Sequence, residues 1–421
     1  MLQSQSSIFL GIFCILVVYN LITSWLSKDQ SQIWNPVTFL GLTLIYYVVA
    51  PSFSDISMWG GDQAEYQYVF YITLVLFYIS VLLGFRTKHK PGFRNWNRLF
   101  THENAQRYAF ILFLIALVCY VPFRGFRTTI SADDATVLSE RTGLVSYFID
   151  LIALFVSACC LAWVGLKNST GVGMKKRIVI FIILYFTLVM FIVGGFRYRL
   201  VMLMLAMATT YHLYPQPRSI NYKVFVPIAV AAYLLFAVMD SARTYGAGIN
   251  MSAAKEFTLE DASKGAAENA SVCSYSITVT SRMYETGERF GFAPIVTAIC
   301  MPIPRFLFPW KPDASYLKLA ESSVGASGGA AFLGFTEAFT AFGFLGVILY
   351  GFLMGWLSKR IWVNYQNNKD SVGAIVLLGL FNGFCYVWIS RGYMAAAFNI
   401  FIYYVALPFW LTTLIRKWTK I

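Results

Sequence analysis

Charge is scarce in this chain, and so are the residues that most often do chemistry in water. Only 13% of its 421 residues are Asp, Glu, Lys or Arg, against about a quarter in a soluble domain. That shortage excludes an ordinary water-soluble globular protein. Histidine occurs three times, as His89, His102 and His212, and no Cys-x-x-Cys pair occurs. The usual zinc and dithiol frameworks are therefore missing. No run of short alternating strands is present, which argues against a membrane β-barrel.

What is abundant is apolar length. Runs long enough to cross a hydrocarbon core of about 30 Å recur along the whole chain. We read eleven spans, at 7–26, 37–53, 67–85, 108–123, 144–166, 178–195, 199–214, 224–239, 336–357, 371–389 and 394–414. The expected fold is thus an all-α polytopic membrane protein, a single integral membrane domain over residues 1–421. The first stretch lacks a basic leader and a small-residue cleavage site, so it reads as a retained span, not a signal peptide.

The charges that remain are sorted by side. With the N-terminus outside, the short inner loops and the tail hold 19 of the 33 basic residues and only Asp29, Glu103 and Asp370 among acids. That bias predicts an inside C-terminus. It also accounts for the net charge of +13 without any nucleic-acid partner. Cys14, Cys119, Cys159, Cys160 and Cys385 fall within spans as small apolar residues. Cys273 and Cys300 fall on the outer side, where a disulfide is chemically allowed.

One outer segment, 240–335, is different in kind. It opens polar, with Asp240 and Arg243 in "DSARTYG", and a surface helix is expected near 271–287 from the spacing of Val272, Tyr275, Val279 and Met283. It closes with "APIVTAICMPIPRFLFPW", apolar but broken by proline, which predicts a re-entrant or interfacial piece. Arg305 and Lys311 sit in that piece beside Trp310. No internal repeat is evident, so the inverted-repeat plan of many transporters gains no support.

Outside that segment the outer basic residues are Arg124, Arg127, Arg141, Arg197, Arg199 and Arg391, with no lysine. Singly, each can snorkel to lipid phosphate or pair with an acid. Collectively, guanidinium groups suit a diphosphate better than ammonium groups do, because they stay charged and bind oxygens in pairs. "GGFRYRL" places Arg197 and Arg199 at the outer surface, and "ISRGYM" sets Arg391 in a short outer turn. Glu337, at the start of the ninth span in "GFTEAFTAFGF", either pairs with an arginine or serves as a general base. Asp240 competes for the base role, and Asp150 reads as an interhelical partner. Tyr245, Trp310 and Tyr316 can stack on sugar rings or anchor at the interface.

These pieces, in this order, resemble Wzy-type oligosaccharide repeat-unit polymerases, the O-antigen and enterobacterial-common-antigen polymerases. The matching motifs are "GGFRYRL", "ARTYG", "MPIPRFLFPWKP", "TEAFTAFGFLG" and "ISRGYM", spread from 194 to 393. The resemblance implies a GT-C-like fold in the bacterial inner membrane. It implies transfer of a glycan from undecaprenyl diphosphate onto a new lipid-linked repeat unit at the periplasmic face, without metal or cofactor. It assigns Arg305 and Glu337 to catalysis, and Arg197, Arg199, Arg243, Arg391, Lys311 and Tyr245 to substrate contacts. It also implies a chain-length-regulating co-polymerase as partner. Many relatives have Asn where this chain has Ala341, which leaves any sugar contact by that Asn vacant or moved. The alternatives are an O-antigen ligase, whose relatives commonly carry a histidine that residues 240–335 lack, and a lipid-linked-glycan flippase or other transporter.

Overall fold

The computed structural model describes residues 2–52, 66–90, 92–124, 150–167, 174–193, 197–221, 267–303, 307–310, 312 and 331–418, with scattered positions between 223 and 249. In chain order its main helices are α1 (Leu2–Trp25), α2 (Pro36–Ser52), α3 (Gln67–Phe85), α4 (Ala105–Arg124), α5 (Leu151–Lys167), α6 (Met174–Val193), α7 (Arg197–Leu213), α8 (Ala267–Thr286), α9 (Ala293–Cys300), α10 (Gly334–Gln366), α11 (Val372–Ser390) and α12 (Met394–Trp418). Every span expected from hydropathy coincides with one of these helices except 224–239, which lies mostly outside the described residues. Among the described residues five helices are long and apolar enough to cross a membrane: α1, α3, α10, α11 and α12. Beyond the helices there is a two-residue ladder, Arg243–Thr244 against Gly248–Ile249.

The chain divides into two compact units, each built from three stretches. Unit 1 takes residues 1–92, 267–363 and 385–399, and unit 2 takes 93–266, 364–384 and 400–421. Both rest on the same device. In unit 1, Gly351 and Gly355 of α10 lie against α3, where a Cβ at Gly351 would stand 2.6 Å from the Phe77 carbonyl oxygen. In unit 2, Gly379 and Gly383 of α11 lie against α7, and a Cβ at Gly383 would stand 2.6 Å from the Met202 carbonyl oxygen. Where lipid removes the hydrophobic drive between helices, paired small residues let backbones approach and gain dispersion contacts.

Helix ends and irregularities follow from local chemistry. Asn35 caps α2, its side chain accepting from the Thr38 amide at 3.1 Å with Pro36 in the first turn, the arrangement both residues favour. Two short π-helical turns, Ile45–Val49 in α2 and Phe401–Ala406 in α12, each lie just before a proline. Pro51 and Pro408 lack the N–H that would bond the carbonyl four residues back, and a widened turn takes up the fault. The sequences there, "IYYVVAP" and "IYYVALP", are nearly the same. Each turn buries a tyrosine, Tyr47 in unit 1 and Tyr404 in unit 2.

One expectation needs correction. The helix near 271–287 is α8, but it is not a surface helix: Val272, Cys273, Ser276, Val279, Thr280, Ser281 and Met283 are all buried. Its small polar residues pack as tightly as its apolar ones, so periodicity of large side chains alone misjudged its exposure. Cys273 and Cys300 are both free thiols. The proline-broken piece begins as the short helix α9, whose Val296 and Ile299 are exposed, as are Phe292 just before it and Leu307 and Trp310 beyond it.

Candidate active site

The spine of the site is a break in α10. Phe342 (φ −137°, ψ 20°) and Gly343 (φ 63°, ψ −144°) leave the helical region, the second in a conformation open essentially only to glycine. The break splits α10 into a half-helix, 334–341, and a continuous run to Gln366. That run alone rises about 35 Å at 1.5 Å per residue, enough to cross the bilayer core. The half-helix is surplus to spanning, so Glu337 belongs to a separate short element and not to the start of a straight span.

The carbonyls freed at the break find partners in the turn between α8 and α9. The Phe290 amide donates to Thr340 at 2.9 Å and the Gly291 amide to Ala341 at 3.0 Å. Gly287 (φ 69°) and Gly291 (φ 57°) let this turn fold tightly. Between them Arg289 lies 4.9 Å over the Phe339 ring and donates to the Met283 and Glu288 carbonyls. Partial burial pushes its guanidinium down from the usual value. Arg289 was absent from the sequence-derived set, and only the flanking glycines of "GERFG" hinted at it.

Glu337 is buried, 1% exposed. Its Oε2 accepts from the amide of Met394, the first residue of α12. A carboxylate there satisfies one of the orphan donors at a helix start and meets the positive end of the helix dipole. The turn 391–393 is also held to the segment that leads into the half-helix, because the Gly392 amide donates to the Phe332 carbonyl. The amide of Arg391 closes α11 on Val387 at 3.0 Å. Within unit 1 the motif "ISRGYM" and the motif "TEAFTAFGF" are therefore one structural piece. Thr336, beside Glu337, buries a hydroxyl that has no hydrogen-bond partner among the described residues.

Arg199 is the exception to the expected surface placement. It is 6% exposed in unit 2, where it and Leu200 are buried in the first turn of α7. Its Nη2 lies 3.9 Å from Asp150, which fits the partner role expected of that aspartate, and its Nε donates to the Tyr198 hydroxyl at 3.2 Å. Tyr404 and Tyr120 complete the surroundings, and the Tyr404 hydroxyl is buried without a partner among the described residues.

For the remaining sequence-derived residues the structure is partial. Arg197 opens α7 and Arg243 pairs opposite Ile249 in the ladder, while the side chains of both lie outside the described set. Arg305, Lys311, Tyr245 and Asp240 lie outside the described residues altogether. Among the described residues no three His, Cys, Asp or Glu side chains group as metal ligands.

Comparison with models of protein families, with curated proteins and with solved structures finds no match. Among the described residues the fold is helical apart from a two-residue ladder, and its long apolar helices support a membrane all-α protein.

Proposed function

We propose that the chain spans the bacterial inner membrane eleven times, with a GT-C-like arrangement, and polymerises undecaprenyl-diphosphate-linked oligosaccharides at the periplasmic face. The observation that supports this reading is the bond from the Met394 amide, just past the Arg391 turn, to Glu337, beside the bond from the Gly392 amide to the Phe332 carbonyl. Two motifs of the resemblance, far apart in sequence, thereby have their backbones together, with the amide that bonds Glu337 three residues from Arg391. In the reaction a hydroxyl oxygen of the acceptor repeat unit attacks the anomeric carbon of the donor glycan. The bond from that carbon to the diphosphate oxygen breaks, and undecaprenyl diphosphate leaves with the electron pair. Arg391, with Arg305 and Lys311 of the same unit, would stabilise the charge on the departing diphosphate. The hydroxyl proton passes to a carboxylate, with Glu337 the first candidate.

A second reading has its own support. A half-helix ending at a glycine break, with a buried acid beside it, is a feature of membrane transporters. A lipid-linked-glycan flippase would use the same elements without breaking a glycosidic bond. Purified protein given a synthetic undecaprenyl-diphosphate repeat unit separates the two. Polymerase activity yields a product ladder and free undecaprenyl diphosphate, and Arg391→Ala and Arg305→Ala abolish both. A persistent single-unit band with wild-type protein rejects the polymerase reading.

A further inference from the structure

At the end of α3, remote in sequence from the half-helix, two cationic residues of α10 lie over aromatic rings and three more follow in the turn after α3. The turn after Phe85 carries Arg86, Lys88 and Lys90, all exposed. It folds back on the helix end: the Arg86 amide donates to Leu82 at 3.1 Å and the Thr87 amide to Gly84 at 3.2 Å. Thr87 Oγ1 and His89 Nε2 are 2.8 Å apart. Because α10 crosses α3 at Gly84 and Gly355, its next turn meets this one. There Lys359 lies 5.0 Å over the Phe85 ring and Arg360 5.5 Å over the Trp356 ring. His89 meets the same Trp356 edge-on at 5.3 Å.

We propose that this cluster is a binding site for the phosphate headgroup of an anionic phospholipid. Charge complementarity is the first ground. No Asp or Glu occurs from Tyr66 to His102, or from Ala338 to Lys369, so neither stretch brings an acid of its own to the locus. Retention of positive charge on one side of the membrane explains the number of cations, but not why two of them lie on aromatic faces that hold them in place. The second ground fixes the occupant as a lipid and not free phosphate. Below the cations the lipid-facing surfaces of the two helices are bare and apolar: Leu83 is 53% exposed on α3, and Leu349, Phe352 and Leu353 are 58%, 41% and 53% exposed on α10. A charged end above an apolar track matches a headgroup with its acyl chains, and both helices are long enough to cross the bilayer. Juxtamembrane Lys and Arg each contribute to such binding, by about a factor of five per charge.

The test uses the full chain in a neutral detergent, with binding read by native mass spectrometry and by melting temperature. The probes are phosphatidylglycerol, phosphatidylcholine and inorganic phosphate. Phosphatidylglycerol is expected to remain bound and to raise the melting temperature, while the other two have little effect. The double variant Lys359→Gln/Arg360→Gln should bind it about thirty-fold more weakly, and Arg416→Gln/Lys417→Gln at the C-terminus should leave it unchanged. If the first variant does not fold, the exposed triple variant Arg86→Gln/Lys88→Gln/Lys90→Gln gives the same reading. Phosphatidylglycerol affinity within twofold of wild type in a folded variant overturns the proposal. So does equal protection by inorganic phosphate, which would make the site one for a soluble anion.

Discussion

The Glu337 carboxylate accepts a hydrogen bond from the Met394 backbone amide, so an acid on one helix closes the first turn of another. A cap needs only an acceptor oxygen, whereas a general base needs a carboxylate. Glu337→Gln keeps the acceptor and should melt within a few degrees of wild type while losing glycan transfer. Glu337→Leu strands the amide in a buried place and should cost about 1–3 kcal/mol, seen as a lower melting temperature in detergent. A Glu337→Gln variant with full turnover would leave the cap as the whole role of this residue.

Gly343→Ala tests the break itself. At φ 63° and ψ −144° any side chain is strained, and a Cβ would stand 3.2 Å from Arg289 Nε. The expected loss of stability is about 1–3 kcal/mol. Arg289→Ala should lower the melting temperature further and slow transfer, with Arg289→Lys restoring only part of each, since a lysine is shorter and lacks the planar guanidinium face that lies over Phe339.

Arg199 and Asp150 should behave as a coupled pair. Arg199 is almost wholly buried, whereas Asp150 keeps 34% of its side-chain exposure, so solvent weakens the attraction at one end. Arg199→Gln and Asp150→Asn should each destabilise. The double variant should recover part of the sum, with a coupling of about 0.5–3 kcal/mol in a double-mutant cycle of melting data. Strict additivity would mean that the 3.9 Å approach carries no energy.

His89 gives a pH signature. Burial, then Arg360 and then Lys359, hold its imidazole below the ordinary histidine value. The folded chain therefore resists a proton that the unfolded chain accepts. The stability from this group is complete above about pH 6.5 and is lost as the pH falls below it. Histidine-selective NMR should show the depressed titration, and phosphatidylglycerol should move it upward by offsetting the two neighbouring cations. No change on adding the anionic lipid would place the headgroup elsewhere.

The helices were legible because apolar length is written directly in the sequence: 67–85 is α3 to the residue. The break in α10 was not. "AFGF" is one of many places where glycine stands among aromatics, and it becomes a break only because Phe290 and Gly291 arrive from another part of the chain to take the free carbonyls. The burial of Arg199 was hidden for a related reason. Sequence puts it after a glycine pair, but helix phase decides which way it faces. The role of Glu337 was half legible. Its rarity inside an apolar run drew attention, while its partner, a backbone amide, carries no sequence signal at all.

The glycine contact between α3 and α10 also sets a clock. Gly84 meets Phe352 and Trp356, residues made about 270 positions later, which at 5–20 residues per second is roughly 13–54 s of synthesis. Through that interval α3 waits in the bilayer with the surface around Gly84 uncovered by α10. Whatever holds it meanwhile, lipid or insertion machinery, must let go when α10 emerges. A mutation at Gly84 would then show first in how much chain reaches its final assembly and only afterwards in how well the finished protein works.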